Sequence, residues 1–461
     1  MSRTPRTRFI VDAIEDAGVV GAGGAGFPTH VKLAAEVDTV IANGVECEPL
    51  LASDQAVMTL TPDKVLDGLK AAMTATGAKM GYIALKKKYV SSVAAVRNVI
   101  SGRDDIDLVE LDDIYPYGDE HVLTHEVTGR YVPEGGLPLE AGVVVTNVAT
   151  LANVADALEG RPVTHRIVTI AGEVKNPVTV RAPVGTAIQD LIRFAGGSSV
   201  EDYGIILGGP IMGKLTHSEE AVVTKLTGGV IVLPRNHVLI TRRRDSLAGI
   251  LRRARSNCCQ CMACTETCPR NLLGHGISPH LIMRAVSMSP GNVMPEIVKS
   301  AWLCSECGVC ETIACQSNLS PVRINQALKE SMMRKGIKNP YHRSDIAANP
   351  MREYRKVPGS RLNMRAGISK YSRQPADILQ AFDPDKKMKA IPVIVPERVD
   401  IPLLQHVGAP AVPCVKQSDA VNEGDLIAEI PDSALGARIH ASISGVVLDI
   451  GKTITIVARG H

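Results

Sequence analysis

Cys258-Cys259-Gln260-Cys261-Met262-Ala263-Cys264-Thr265-Glu266-Thr267-Cys268-Pro269 is the stretch on which the rest of the chain turns. Within it, Cys258, Cys261, Cys264 and Cys268 keep the spacing C-x2-C-x2-C-x3-C-P. A second run follows, Cys304-x2-Cys307-x2-Cys310, with a further thiol at Cys315. The two runs hold nine of the eleven cysteines in 461 residues. Three thiolates at this spacing sit on one tight turn and grip three corners of an iron–sulfur cube. The fourth ligand comes from further along, because the last corner faces away from the turn. Zinc sites use cysteine pairs across a longer gap rather than triplets. Disulfides need an oxidising compartment, whereas the first residues carry Asp12, Glu15 and Asp16 and do not read as an export signal. The spacing therefore predicts two 4Fe–4S clusters. Cys259 is too close to Cys261 for the turn and is spare. The second run has four residues before Cys315 and Gln316 in place of the usual proline; a longer loop can still deliver the ligand, but a more exposed or labile second cluster is expected.

The first run resembles the bacterial ferredoxin pattern, in whose two-cluster members the fourth cysteine serves the other cluster. That resemblance implies one cluster on Cys258, Cys261, Cys264 and Cys315, and one on Cys304, Cys307, Cys310 and Cys268. Composition sets further bounds. A 45% hydrophobic share with 21% charge describes a folded chain of three or four domains. With 3% aromatics and a net charge of +3, the sequence offers neither stacking platforms nor a polyanion-binding surface, so no nucleic-acid partner is expected. It has no apolar run long enough for a transmembrane helix. These features point to the cytoplasm. A basic patch, Arg242-Arg243-Arg244 with Arg252, Arg253 and Arg255, reads either as a solvated helix face or as a dock for an acidic partner.

Upstream, apolar residues at helical spacing predict a helix over residues 7–17, and then comes Gly21-Ala22-Gly23-Gly24-Ala25-Gly26-Phe27-Pro28-Thr29. Four glycines permit close backbone approach. Thr29 is expected to cap a helix over Thr29–Glu36, whose first N–H groups would face a phosphate, with Lys32 adding charge. Strands are expected at 38–42, 80–85, 107–111 and 143–147, with helices between them and at 149–158. This is a wound α/β domain with a largely parallel sheet. In such sheets the ligand lies beyond the carboxyl ends of the strands. Asn43-Gly44-Val45-Glu46-Cys47-Glu48-Pro49 and Asn147-Val148-Ala149-Thr150 stand at two such ends. Cys47 reads as a packed thiol.

Gly23 through Thr29 with Lys32 resembles the G-x-G-G-A-G-F-P-T-x-x-K loop of the flavin subunit of respiratory complex I and of the Rnf core subunit. The resemblance implies FMN contacts at Gly23, Gly24, Gly26, Lys32, Asn43, Glu46, Asn147 and Thr150, and a nicotinamide-side role for Glu48, with NADH stacking over the flavin. Tyr115-Pro116-Tyr117-Gly118-Asp119-Glu120 looks like the third flavin segment, with Gly118 and Glu120 its candidates.

Residues 161–240 read as a hairpin and a short helix on a small sheet, and resemble the soluble-ligand-binding β-grasp unit. The loop 208–213 is expected beside the flavin domain. Residues 241–335 read as a helical two-cluster ferredoxin-like domain and 336–390 as a linker or irregular wrap. Residues 391–461 read as short strands with glycine turns and resemble the lipoyl-like barrel-sandwich domain, without its modifiable lysine. His406 and His440 read as structural. The fold class is thus α/β plus α+β multidomain, with the flavin domain over residues 1–160.

In the Rnf subunit the sandwich precedes the flavin domain and a long tail follows the clusters. With the sandwich at 391–461 and no such tail after the clusters, the order resembles the PduS-type cobalamin reductase family of propanediol-utilising microcompartments. That resemblance implies an NADH-dependent reductase passing single electrons from FMN through 4Fe–4S clusters to cob(III)alamin and cob(II)alamin, in propanediol use and coenzyme B12 recycling. It implies a cobalamin adenosyltransferase and a microcompartment shell as partners, with a homo-oligomer allowed. No D-x-H-x-x-G cobalamin motif occurs, since Asp119-x-His121 lacks the glycine. Corrinoid binding is therefore expected to be transient or on the β-grasp surface. An Rnf-like subunit feeding a membrane complex, or a cluster-bearing scaffold, are the competing readings.

Overall fold

A computed structural model of the chain describes residues 5–216, 220–287, 295–380 and 390–459. Four apolar runs form one parallel sheet in the order Ile106–Leu111, Met80–Lys86, Thr39–Asn43, Val143–Asn147. Val40, Ile41 and Ala42 are fully buried, as a parallel sheet covered on both faces requires. The helices Pro62–Thr76 and Val148–Leu158 pack closely because Gly68 lies against the Leu151 carbonyl, where a Cβ would overlap it.

The glycine loop follows the helix Pro5–Asp16. It is closed by Gly21 N–H donating to the Phe27 carbonyl (2.9 Å) and Gly26 N–H to the Gly21 carbonyl (3.2 Å). The expected helix over Thr29–Glu36 shrinks to one turn, Thr29–Lys32, and Thr29 does not cap it. Pro28 holds the cap position, and Ala34 and Ala35 bond only three residues back. Such bonds tighten the chain and end the α-helix.

The second unit is a five-stranded sheet in the order Val178–Pro183, His165–Gly172, Gly229–Pro234, Tyr203–Leu207, Lys214–Thr216, with the helix Ile188–Phe194 packed against it. Two small sheets follow at the far end of the sequence, centred on Gly445–Ile450 with Thr453–Ala458 and on Leu426–Glu429. They share a core of Val399, Ile401, Ile427, Ile454 and Ile456. His406 and His440 are buried at 9% and 7% exposure. This β module lies against the glycine loop, where Val407 N–H donates to the Gly26 carbonyl at 2.9 Å.

Between the helix Pro321–Arg334 and the β module, residues 336–380 wrap the other units. Val357–Pro358 pairs with Ile114–Tyr115, and Val357, Leu362, Ala366, Ile368 and Tyr371 enter a core shared with Tyr115 and Cys307. Residues 381–389, within the stretch read as linker, lie outside the described residues. The basic patch fits neither of its readings throughout. Arg242 is buried, and Arg243 donates to the carbonyls of Pro210, Ile211 and Gly213. These two arginines clamp the interior, while Arg244, Arg252 and Arg255 stay exposed.

Candidate functional site

Asn43 and Asn147 are direct partners at the carboxyl edge of adjacent strands. Parallel register brings two side-chain amides, distant in sequence, to one place. Asn147 Oδ1 accepts from Ala149 N–H (2.9 Å) and so starts the helix Val148–Leu158, while its Nδ2 donates to Asp54 (2.8 Å). Asn43 Nδ2 donates to the Gly118 carbonyl at 3.0 Å. Thr150 Oγ1, buried, accepts from Ala22 N–H at 2.8 Å and pins the glycine loop to this edge. A Cβ on Gly23 would touch Asn147, whereas one on Gly24, at φ +106°, would meet nothing within 4 Å. Gly26 sits at φ +69° against Leu226. The loop therefore presents open backbone beside the two amides, a cradle that fits a phosphorylated flavin. Lys32 lies on its rim and pairs with Glu120 at 2.8 Å.

The two acids of the 43–49 segment divide. Glu46, at φ +39°, accepts from Ser53 Oγ (2.9 Å), Asp54 N–H (3.0 Å) and Gln55 Nε2 (3.1 Å), holding the start of the helix Ser53–Leu60. Glu48 turns to the loop 208–213 of the second unit, where Ile211 N–H (2.8 Å) and Met212 N–H (3.1 Å) donate to it. Burial raises its carboxyl above the usual range, opposed by those N–H groups and by Arg243. Burial, and then the charge of Glu46, push Asp54 up to about 7. Cys47 accepts from Gly118 N–H at 2.7 Å, and burial pushes its thiol up to about 11, as suits a packed group.

The eight cysteines of the two spaced runs gather in two groups. Cys264 is pushed up to about 12, by burial first and then by Cys258, Cys261 and Cys315. Cys310 is raised by burial and then by Cys304, Cys307 and Cys268. Thiols this far above their ordinary range stay protonated at neutral pH unless a cationic metal core draws off the proton. Two groups of four thiols fit two cubane clusters. Among the described residues no three metal-binding groups converge on a single-ion site. The expected exposure is reversed. Cys307 and Cys310 are buried, while Cys259 and Cys261 are exposed. The extra residue before Cys315 is taken up by a π-turn over Cys310–Ala314, with Cys315 N–H donating to the Cys310 carbonyl at 3.1 Å. One added residue is what widening a helical turn absorbs, so the loop need not bulge outward.

Two contacts join flavin-type and cysteine segments, and neither is readable from local sequence. Tyr115 Oη donates to the Cys307 carbonyl at 2.6 Å and lies 3.3 Å from Glu48 Oε1. Asp119 caps the helix Glu120–Thr128 and pairs with Arg270, two residues past Cys268, at 2.9 Å. An acid inside the flavin-type segment and an arginine behind the cysteine run were the available signals. Only pairing across 151 residues gives them meaning.

Comparison with known proteins agrees with this geometry. Residues 14–156 match the Nuo51 FMN-binding domain, 167–215 the SLBB domain, 257–320 the 4Fe-4S dicluster domain, and 383–460 the RnfC barrel sandwich hybrid domain. Fold and site thus define a flavin and iron–sulfur oxidoreductase. Cobalamin reductase PduS of Citrobacter freundii is 42% identical over 98% of this chain and 96% of its own length. Its counterpart from Salmonella typhimurium is 43% identical over the same shares. The chain belongs to the PduS cobalamin reductase family. A component of the Na(+)-translocating ferredoxin:NAD(+) oxidoreductase complex of Acetobacterium woodii is 38% identical, over 56% of this chain and 57% of its own. Among solved structures, an NAD+-reducing nickel–iron hydrogenase in the H2-reduced state covers 73% of this chain and 63% of its own, at TM-score 0.46 and 22% identity. Among the described residues no helix is long and apolar enough to cross a membrane.

Proposed function

We propose that this chain is an NADH-dependent cobalamin reductase that reduces cob(III)alamin and cob(II)alamin one electron at a time. One observation carries the reading. Tyr115 sets the flavin-type segment directly against the thiol group that holds the buried Cys307 and Cys310, in a chain 42% identical to a cobalamin reductase across nearly its whole length. Bound FMN supplies the conversion of a hydride pair into single electrons, and 4Fe–4S clusters supply one-electron conduction.

The chain's own residues do the positioning. Gly23, Gly24 and Gly26 give a phosphate access to backbone, and Lys32 adds charge at the rim. Asn43, Asn147, Thr150 and Gly118 fix the cradle, and Glu46 holds the helix start beneath it. Glu48 serves the nicotinamide side, Glu120 serves the flavin with Gly118, and Asp54 holds a proton near neutrality next to Asn147. Cys258, Cys261, Cys264 and Cys315 hold one cluster, and Cys268, Cys304, Cys307 and Cys310 the other. In this reading the chain works in the cytoplasm inside a microcompartment shell and passes cob(I)alamin to an adenosyltransferase.

The test is anaerobic. NADH and purified protein are mixed with hydroxocobalamin and the corrinoid spectrum is followed. Reduction of the corrinoid is expected, and an unchanged spectrum with FMN bound would defeat the reading.

A further inference from the structure

The helix Leu247–Asn257 runs straight into the first thiol group. Cys258 is its C-terminal cap, with Cys258 N–H donating to the Ala254 carbonyl at 3.2 Å. Ile250 and Ala254 are its buried residues. Ala248, Arg252 and Arg255, spaced four and three apart, share the opposite face and are exposed. Arg244, exposed, ends the preceding helix Val238–Arg244, and exposed Cys259 follows just past the cap. Acids along this stretch are already taken. Asp245 pairs with Arg253, and Glu266, two residues past Cys264, pairs with Arg355 at 3.4 Å. Among the described residues no carboxylate pairs with Arg244, Arg252 or Arg255, and their charges face water. The negative end of the helix dipole accounts for Arg255 alone, because that effect is confined to the last turn.

The two thiol groups also differ in access. Cys261 and its neighbour Cys259 are exposed, whereas Cys307 and Cys310 are buried. The first group is thus the one a second protein can approach, and the free arginines lead up to it. Met262 and Leu247 add exposed apolar surface, and arginine and methionine are favoured at protein interfaces. We propose that this face docks an acidic protein that carries single electrons, with its carboxylates on Arg244, Arg252 and Arg255 and its redox centre over Cys259 and Cys261. NADH leaves as NAD+ and a proton, and two carrier molecules in succession each take one electron. This rests on the oxidation of NADH proposed above and not on the corrinoid as acceptor. Such electron-transfer contacts are small and transient, so charge governs how fast they form.

The test uses holoprotein, checked for FMN and iron, with an acidic flavodoxin as the probe. Its binding and its one-electron reduction after NADH is added are followed without oxygen. The triple variant Arg244→Glu, Arg252→Glu, Arg255→Glu is expected to weaken binding by about ten-fold or more at low salt. Added salt should bring the wild type down towards the variant. Arg252→Glu alone, at an exposed site, should show a smaller loss in the same direction and serves if the triple variant fails to fold. Lys416→Glu with Lys452→Glu, exposed on the β module, should bind as the wild type does. Bleaching of the flavin by NADH and the midpoint potential of the first cluster are expected to stay the same throughout. Equal flavodoxin binding by wild type and triple variant would overturn the proposal, as would wild-type holoprotein that neither binds nor reduces flavodoxin. A shifted cluster potential with unchanged binding would also overturn it, and would assign the arginines to the cluster itself. Wild-type flavin that NADH does not bleach would instead sink the reading of NADH as reductant.

Discussion

Arg270 and Asp119 form an ion pair of 2.9 Å with both side chains nearly buried, at 13% and 9% exposure. Burial pushes the Asp119 carboxyl up, but Arg270, His121 and backbone N–H groups outweigh it and hold it below the usual range. The pair ties the flavin-type segment to the turn behind Cys268. Removing one partner of a buried pair costs about 3–5 kcal/mol. Arg270→Leu is therefore expected to lower the urea midpoint markedly. Arg270→Leu with Asp119→Asn should recover part of the loss, and equal midpoints for the single and double variants would contradict the coupling.

The glycine cradle makes a separate forecast. Gly24 stands at φ +106° with open space where a side chain would point. A valine there adds backbone strain of about 1–3 kcal/mol and fills the cradle. Gly24→Val should yield protein with its iron intact but without the yellow chromophore. Full flavin content after gel filtration would show that the cradle lies elsewhere.

Cysteine grouping is tested by iron counts. If Cys315 completes the group of Cys258, Cys261 and Cys264, then Cys315→Ala should fall from about eight irons per chain to about four. Its remaining paramagnetic signal should match that of the group holding Cys268 and not that of a Cys268→Ala variant. Identical signals from the two variants would refute the crossed grouping.

Lys225 gives a pH dependence. It is buried without a carboxylate, its ammonium donating to the carbonyls of Gly18 and Arg438, both at 2.7 Å. Burial lowers it from 10.5 to about 7. Above pH 7 the folded chain holds it neutral while the unfolded chain keeps it charged. The unfolded state then binds the extra proton, so stability rises with pH from about 7 towards 10.5, by up to about 1.4 kcal/mol per pH unit. Lys225→Met should lack this slope, and parallel pH curves for the two proteins would rule the lysine out as its source.

Much of this architecture is legible in the sequence, and the boundary has a physical cause. Strand runs such as 39–43 and 143–147 are continuous in sequence and need no partner to be read. Thiol spacing is equally local. What stays hidden is set by pairing across the fold. Glu48 reads as an acid at a strand end, and nothing nearby announces Ile211 and Met212 as its donors. Arg243 sits in a basic run that looks solvated, yet it directs its donors to three interior carbonyls. The loop before Cys315 looks too long until the π-turn is seen.

The β module near the C-terminal end rests on the beginning of the flavin domain, through Arg438 with Asp16 and Val407 with Gly26. Only the helix Pro5–Asp16 separates the first described residue from that seam, a reach of about 18 Å at 1.5 Å per residue. The neighbourhood is thus indifferent to which end of the polypeptide delivers the module. A circularly rearranged gene, with residues 391–459 spliced ahead of residue 5, should rebuild the same seam.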